Sequence, residues 1–469
     1  MDSKSQYLIE QINLRVDRFP DVLENEVFDI KGSVVELNIF ESIELPYLTA
    51  NLAMVDDVAF KSTIGIKGTE RIQILLKATE NTAPVEKNFI VTGIVTEVSV
   101  NERTDVRVLS LMEEHSYLSS IEKVSRTFEG RPSIIIRDIL NNYLDKNLTT
   151  FQSFENPTTI DGNFFTSTEA QGNIRYISPY LYPLQICDLI RDRMTTSHGA
   201  PYFLFSTFRD DYVHLLDLET IMKAPAWNSS TPYTYAQGAS TFFNNSDSKD
   251  DQRKRSYFHV KKYKAANIES TLRTVQGGAM GSVFEVMNLY SGQITQDNFH
   301  SGSETLNEFL SVIGENPDTS FGFDDTLKIG SSSRTPDQRV SEYTGRVFRS
   351  IVSSHSFFSN GNPIPGFHDI VDNPVEHKLK IKSAALRSIL MNNLFTITVP
   401  GTPYLADLNV GVGTNIDLNY VEPTLSKTNN SSVDPNRSGK FMIYKAAHKF
   451  SEGIHETTMD IVKLTGASK

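Results

Sequence analysis

The densest cluster of potential metal ligands is His368, Asp369, Asp372, Glu376 and His377, five residues within a stretch of ten. Imidazole and carboxylate groups at that density could hold a divalent cation. A solvated, charged loop around Pro374 has the same composition, and that reading is preferred, so no metal ligand is assigned. His455-Glu456 lacks the second histidine of a zinc-protease helix and sits beside a strand-like segment. Gly277, Gly278 and Gly281 have the wrong spacing for a dinucleotide-binding turn, and no phosphate-cradling Gly-x-x-x-x-Gly-Lys-Ser/Thr loop occurs. There is no Gly-x-Ser-x-Gly nucleophile elbow. Cys187, the single cysteine, falls on the apolar face of a helical segment and reads as a buried small hydrophobe. Among 57 acidic residues no pair stands out as the two carboxylates of a glycosidase. The sequence therefore assigns no catalytic residue, no cofactor-binding residue and no cofactor, and the chain is expected not to be an enzyme. Arg253, Lys254, Arg255, Lys261, Lys262 and Lys264 form one basic run in an acidic chain. It reads as a solvated linker or, more sharply, as an electrostatic dock for an acidic partner.

The elements that must carry these residues are bounded by composition. The chain has 469 residues and a mass of 52.7 kDa, enough for roughly three domains. With one cysteine there is no intrachain disulfide and no Cys-rich zinc module. A net charge of −12 argues against a protein that grips nucleic acid, though not against a surface that DNA passes without sticking. The opening residues, MDSKSQYLIEQINLR, lack the basic and apolar regions of a signal peptide. No run of eighteen apolar residues is present to span a membrane.

Short segments rich in Val, Ile and Leu predict an antiparallel sheet or small barrel near the start: Val34–Ile43, Leu48–Asp57, Arg71–Ala78, Asn88–Val100 and Asp105–Met112. Gly93 inside one of them suggests a bulge. Helical spacing follows. In GRPSIIIRDILNNYLDK, Pro132 opens a helix whose stripe is Ile136, Ile139, Leu140, Tyr143 and Leu144. In PLQICDLIRDRMTTSHG, Ile186, Cys187, Ile190 and Met194 share a face, with Gly199 and Pro201 as the stop. YFLFSTF and YVHLLDL, joined by Arg209, Asp210 and Asp211, predict a hairpin beneath that helix. A short helix fits SETLNEFLSVIG, with Leu306, Phe309, Leu310 and Ile313 inward. Asn228–Ser256 and Gly314–Pro374 read as irregular. The end returns to strands at Phe395–Gly401, Gly413–Val421, Gly439–Phe450 and Thr458–Leu464, after a helical EHKLKIKSAALRSILMNN.

The two ends can be laid over each other. Ile72 aligns with Ile416, Lys87–Val91 with Gly439–Ile443 (Phe89 on Phe441), and Val106–Leu111 with Met459–Leu464. Two similar units per chain, in a closed trimer, would present six around one axis.

Several segments also resemble a known family, the baseplate central hub protein of contractile-tailed bacteriophages, which is related to the hub portion of type VI secretion spike proteins. They are VVELNIFESIELPYLTANLAMVDD, FEGRPSIIIRDILNNYL, ISPYLYPLQICDLIRDRM with the following hairpin, and ITVPGTPYLADLNVGVGTNIDLNYV with SGKFMIYKAAHKFSEGIHETTMDIVKL. The resemblance runs from Val34 to Leu464. It implies a mainly β fold with some helices (α+β): two tail-tube-like antiparallel β-barrel domains plus an inserted mixed α/β domain. The divisions expected are 1–117 for the first barrel, 118–257 for the mixed domain, 258–375 for its extension with long loops, and 376–469 for the second barrel. It further implies a virion baseplate location, assembly in the host cytoplasm, and a homotrimer joining the tail tube to the spike. Tube, spike and baseplate wedge or other hub proteins would be its partners, and DNA only passing cargo. Because only TGASK follows Leu464, spike and hydrolase are expected on separate chains. The alternatives are a peptidoglycan hydrolase on a hub scaffold and a receptor-binding tail protein using aromatic stretches such as ISPYLYPL. A single tryptophan argues against a sugar-stacking surface.

Overall fold

The computed structural model describes residues 7–16, 26–56, 66, 68–78, 82, 84–98, 105–153, 156–159, 174–236, 256–265, 276, 282–288, 292, 294–299, 309, 311–312, 346–352, 358–359, 362–363, 368–369, 377–392, 394–406, 410–422, 432–434 and 437–463. The N-terminal unit consists of β1 (Leu8–Val16), β2 (Glu26–Asp29), β3 (Val34–Ser42), β4 (Thr49–Asp56), β5 (Arg71–Lys77), β6 (Val85–Val98) and β7 (Asp105–Glu113). Alternation decides its faces. In β3, Leu37, Ile39 and Glu41 are buried while Glu36, Asn38 and Phe40 are not. Leu37 and Ile39 join Leu52, Ile72, Phe89 and Leu111 in one core.

A mixed segment follows: α1 (Glu114–Ile121), β8 (Thr127–Gly130), α2 (Pro132–Leu144), β9 (Leu148–Ser153), β10 (Asn156–Thr159), β11 (Ile174–Ile177), α3 (Pro183–Arg191), β12 (Tyr202–Ser206), β13 (Val213–Asp217) and α4 (Leu218–Lys223). Both α2 and α3 begin on proline, whose missing N–H costs nothing at that position. The expected apolar stripes face one core built of Ile136, Ile139, Leu140, Ile186, Cys187 and Ile190. The second helix ends at Arg191, short of Gly199. Thr196 Oγ1 accepts the amides of His198 (3.3 Å) and Ala200 (3.0 Å), and this tight turn displaces the last helical residues. Gly199, at φ +86°, closes the turn, and a Cβ there would stand 2.7 Å from Lys382 Cβ.

The β12–β13 hairpin is buried on both faces, which explains its continuous apolar runs. Tyr202, Leu204, Val213 and Leu215 meet α2 and α3, whereas Phe203, Phe205 and Leu216 enter the C-terminal core.

Next come β14 (Tyr233–Ala236), β15 (Lys262–Ala265), β16 (Ser282–Asn288), β17 (Ile294–Phe299), β18 (Arg346–Val352), β19 (Phe358–Ser359), β20 (Asn362–Pro363) and β21 (His368–Asp369). Parts of both stretches expected to be irregular are therefore strand: β14 lies in the first, and β18 to β21 in the second. β18 pairs in parallel with β16, a long-range contact that local composition does not encode. The SETLNEFLSVIG helix falls almost wholly outside the described residues. The C-terminal unit holds α5 (His377–Asn392), β22 (Leu394–Pro400), α6 (Thr402–Ala406), β23 (Asn415–Glu422), β24 (Ser432–Val433), β25 (Gly439–Ser451) and β26 (Ile454–Val462).

The fold is mainly β with some helices. Both end units belong to one 14-stranded sheet, in the order β15-β22-β26-β25-β3-β4-β7-β6-β5-β1-β2, with β14, β23 and β24 branching from it. Within that order lies a duplication. The run β3-β4-β7-β6-β5 is matched by β15-β22-β26-β25-β23, antiparallel at every step. Ile72 pairs with Phe89 and Ile416 pairs with Phe441, so the first two sequence alignments coincide with the pairing register. Past them, Val91 faces Leu111 and Ile443 faces Ile461, and each long strand bulges one residue later, at Thr92 and at Tyr444. The third alignment was three residues out: Leu111 corresponds to Ile461, not Leu464.

Candidate functional site

β25 is the strand that both units share. From Gly439 to Met442 it pairs with β23; beyond its bulge, Lys445–Ser451 pairs with Ser42–Glu36 of β3. The bulge redirects the strand. Tyr444 O accepts the Ile43 amide (3.0 Å) and Tyr444 Oη donates to Glu44 Oε1 (2.7 Å). Side chains cross the seam in both directions, Ile43 into the C-terminal core and Phe450 into the N-terminal one.

Glu41 lies at the seam with its side chain fully buried. Its Oε1 accepts from His448 Nε2 (3.2 Å) and from the Tyr404 hydroxyl, and its Oε2 accepts the Phe208 amide (2.8 Å). His448 Nδ1 and Thr457 Oγ1 lie 3.2 Å apart, and Thr457 Oγ1 and His455 Nε2 lie 3.4 Å apart, which extends the network. Burial and the neighbouring His448 hold the His455 pKa well below 6.5, so that ring is neutral. The β12–β13 turn locks the seam from the side. The Phe208 ring stacks on His448 at 4.9 Å, and buried Lys87 donates to Thr207 O (3.0 Å) and Asp210 O. Sequence reasoning missed Glu41, His448 and Tyr404. The available signal was parity: Glu41 and His448 both fall on the inward face of alternating strands, where a charge needs a partner.

The opposite face of the shared sheet is open. Over the seam runs a groove of ≈ 340 Å³ lined by Phe40, Thr49, Lys445, Ala447, Thr458 and Asp460 among others. Polar groups on this face bind one another. Thr396 Oγ1 donates to Asp460 (2.7 Å), the Thr398 and Thr458 hydroxyls meet at 3.2 Å, and Lys449 pairs with Glu36 at 2.9 Å.

His368 and Asp369 form β21, paired with β11, while Asp372 and Glu376 lie outside the described residues. Among the described residues no three His, Cys, Asp or Glu converge as metal ligands, and no helix is long and apolar enough to cross a membrane. Gly277, Gly278, Gly281, Arg253, Lys254 and Arg255 also lie outside the described residues. Lys261 pairs with Glu456 at 2.7 Å, and exposed Lys262 and Lys264 belong to β15. Cys187 is fully buried, and burial pushes its thiol far above the usual range. A thiol reagent should leave it unmodified in the native chain and label one thiol per chain in denaturant. Rapid native labelling would contradict its placement.

No protein-family model and no curated protein matches the sequence. Solved structures do. A tail protein from Neisseria meningitidis is 11% identical, with a TM-score of 0.49 over 98% of this chain and 97% of that one. A tail protein of the Shewanella oneidensis prophage MuSo2 is 11% identical, with a TM-score of 0.49 over 97% and 98%. An Escherichia coli component of the type VI secretion system, described as similar to bacteriophage tail proteins, is 7% identical, with a TM-score of 0.38 over 92% and 74%.

Proposed function

We propose that this chain is the non-enzymatic structural hub of a contractile phage tail: a homotrimeric adaptor between a sixfold tail tube and a threefold central spike, continuing the DNA channel. The observation that supports this best is the duplicated five-strand run joined edge to edge through β25 and β3. One chain then carries two successive sectors of a ring, and three chains carry six, which a sixfold partner can meet on one side and a threefold partner on the other. The four segments 1–117, 118–257, 258–375 and 376–469 are read as first sector, mixed domain, its extension and second sector, with β14 and β15 lent to the second sector's sheet.

In such a ring the sheet has an inner and an outer face. Both cores and the mixed segment lie on one face, too bulky for the inside, so the open hydroxyl-rich face is the one that lines the channel. DNA is passing cargo there. Tube, spike and baseplate wedge or other hub proteins are the partners, with no membrane insertion by this chain, in a virion assembled in the host cytoplasm. Interfaces between copies should each exceed about 2,000 Å², as obligate ones do. Light scattering of the purified chain, alone and with the tube and spike proteins of its virion, is expected to give three times 52.7 kDa for the hub. A stable dimer or tetramer would reject the adaptor.

A further inference from the structure

The internal seam has a counterpart that the described residues of a single chain leave open. In β25 the segment beyond the bulge has neighbours on both sides, β26 and β3. In β6 the equivalent segment, Gly93–Val98, has β7 on one side and no strand on the other among the described residues. The same holds for the first strand of each repeat. β3 lies between β4 and β25, whereas its equivalent β15 has β22 alone. Among the described residues each copy therefore shows one acceptor edge and one donor edge, each matching half of a junction that the chain already makes within itself. Exposed edges of this kind recruit further strands.

We infer that copies of this chain join by antiparallel pairing of Thr96–Val98 of β6 in one copy with Tyr263–Ala265 of β15 in the next. The inference rests on the ring assembly proposed above and names the contact that closes it. The duplication also sets the register. Val91 and Ile443 are equivalent, so Thr96 stands where His448 stands. Ala50 pairs with Leu111 and Ile39, and Phe395 pairs with Ile461 and Ala265, so Ala265 stands where Ile39 stands. His448 pairs with Ile39. The intermolecular partners are consequently Thr96 with Ala265, Glu97 with Lys264 and Val98 with Tyr263. Glu97 and Lys264, a residue of the basic run, take opposed register positions. The contact is heterologous, donor edge to acceptor edge, and so makes rings when it closes.

The test is a double variant, Thr96→Cys with Ala265→Cys, oxidised and run on a non-reducing gel. Directly opposed residues on paired strands bring Cα atoms within disulfide range. Native Cys187 is buried and does not compete. The expected product is a covalent trimer, with little linking in the shifted control Val98→Cys with Ala265→Cys. A second arm needs no oxidation: Lys264→Glu or Glu97→Lys alone should weaken association at least about tenfold, and the two together should restore it. A trimeric mass with no link from the matched pair, or equal linking in the control, overturns the strand pairing and leaves the adaptor standing. A ladder running beyond three copies keeps the pairing and overturns the closed trimer. Monomeric mass with no link overturns both.

Discussion

Glu41→Ala is expected to cost about 3–5 kcal/mol, the usual loss when one member of a buried charged network is removed. Three donors converge on this carboxylate from three different elements: His448 of β25, Tyr404 of α6 and the Phe208 amide of the β12–β13 turn. Alanine strands all three away from water, and each unsatisfied donor carries its own desolvation penalty. Glu41→Gln keeps the shape but has only one acceptor oxygen. Whichever way the amide is turned, its NH₂ faces at least one donor, so the glutamine variant should still lose about 2 kcal/mol. The effect should be felt at the seam, because Glu41 itself sits on β3. Urea unfolding followed by the single tryptophan, Trp227, which packs against the C-terminal core, should show the midpoint falling for Gln and further for Ala. Equal midpoints in all three proteins would mean that the β3–β25 pairing holds without the carboxylate.

Local pattern and long-range pairing were legible to different degrees, for physical reasons. Helices α2 and α3 announced themselves because a proline start and an apolar stripe at 3.6 spacing are local signals. The duplication was visible because Phe89 and Phe441 sit in matching strands that follow the Ile72 and Ile416 strands in the same order. Its third strand slipped because β7 is apolar on both faces: Val106 and Val108 face out while Leu109 and Leu111 face in. A strand without alternation does not declare its register. The seam was illegible for another reason. Nothing near Tyr444 says that a bulge will hand β25 from β23 to a strand some four hundred residues earlier. Glu41 and His448 fall at inward positions of alternating strands, but no local signal says that those two strands adjoin. The basic run was legible as charge, but its place on a sheet edge follows only from Lys262 and Lys264 pairing with β22.

Gly401→Ala should rival Glu41→Ala in severity, costing about 3 kcal/mol or more as overpacking in a site that cannot relax. The backbone at Gly401 would accept alanine; the obstacle is space, since a Cβ there would fall inside the contact distance of the His455 ring. That ring has nowhere to retreat. It stacks on Phe450 with centroids 4.1 Å apart, and the Gly401 amide donates to His455 O at 2.9 Å, which fixes the two backbones together. His455→Ala in the same chain should recover part of the loss, because it removes the clash while leaving the backbone bond. The same tight packing makes a pH signature. The folded His455 pKa lies well below 6.5, so the folded chain keeps this ring neutral while the unfolded chain takes up a proton as pH falls. The stability it contributes is present above the unfolded pKa and is lost on acidification, at about 1.4 kcal/mol per pH unit below about 6.5 until the folded ring titrates. His115 and His214, whose values burial also lowers, add to the slope in the same direction. His455→Phe keeps an aromatic ring against Phe450 and removes the titration. Its stability should fall on acidification with a slope smaller by one proton than that of the parent chain. An unchanged slope would show that His455 is protonated in the folded state.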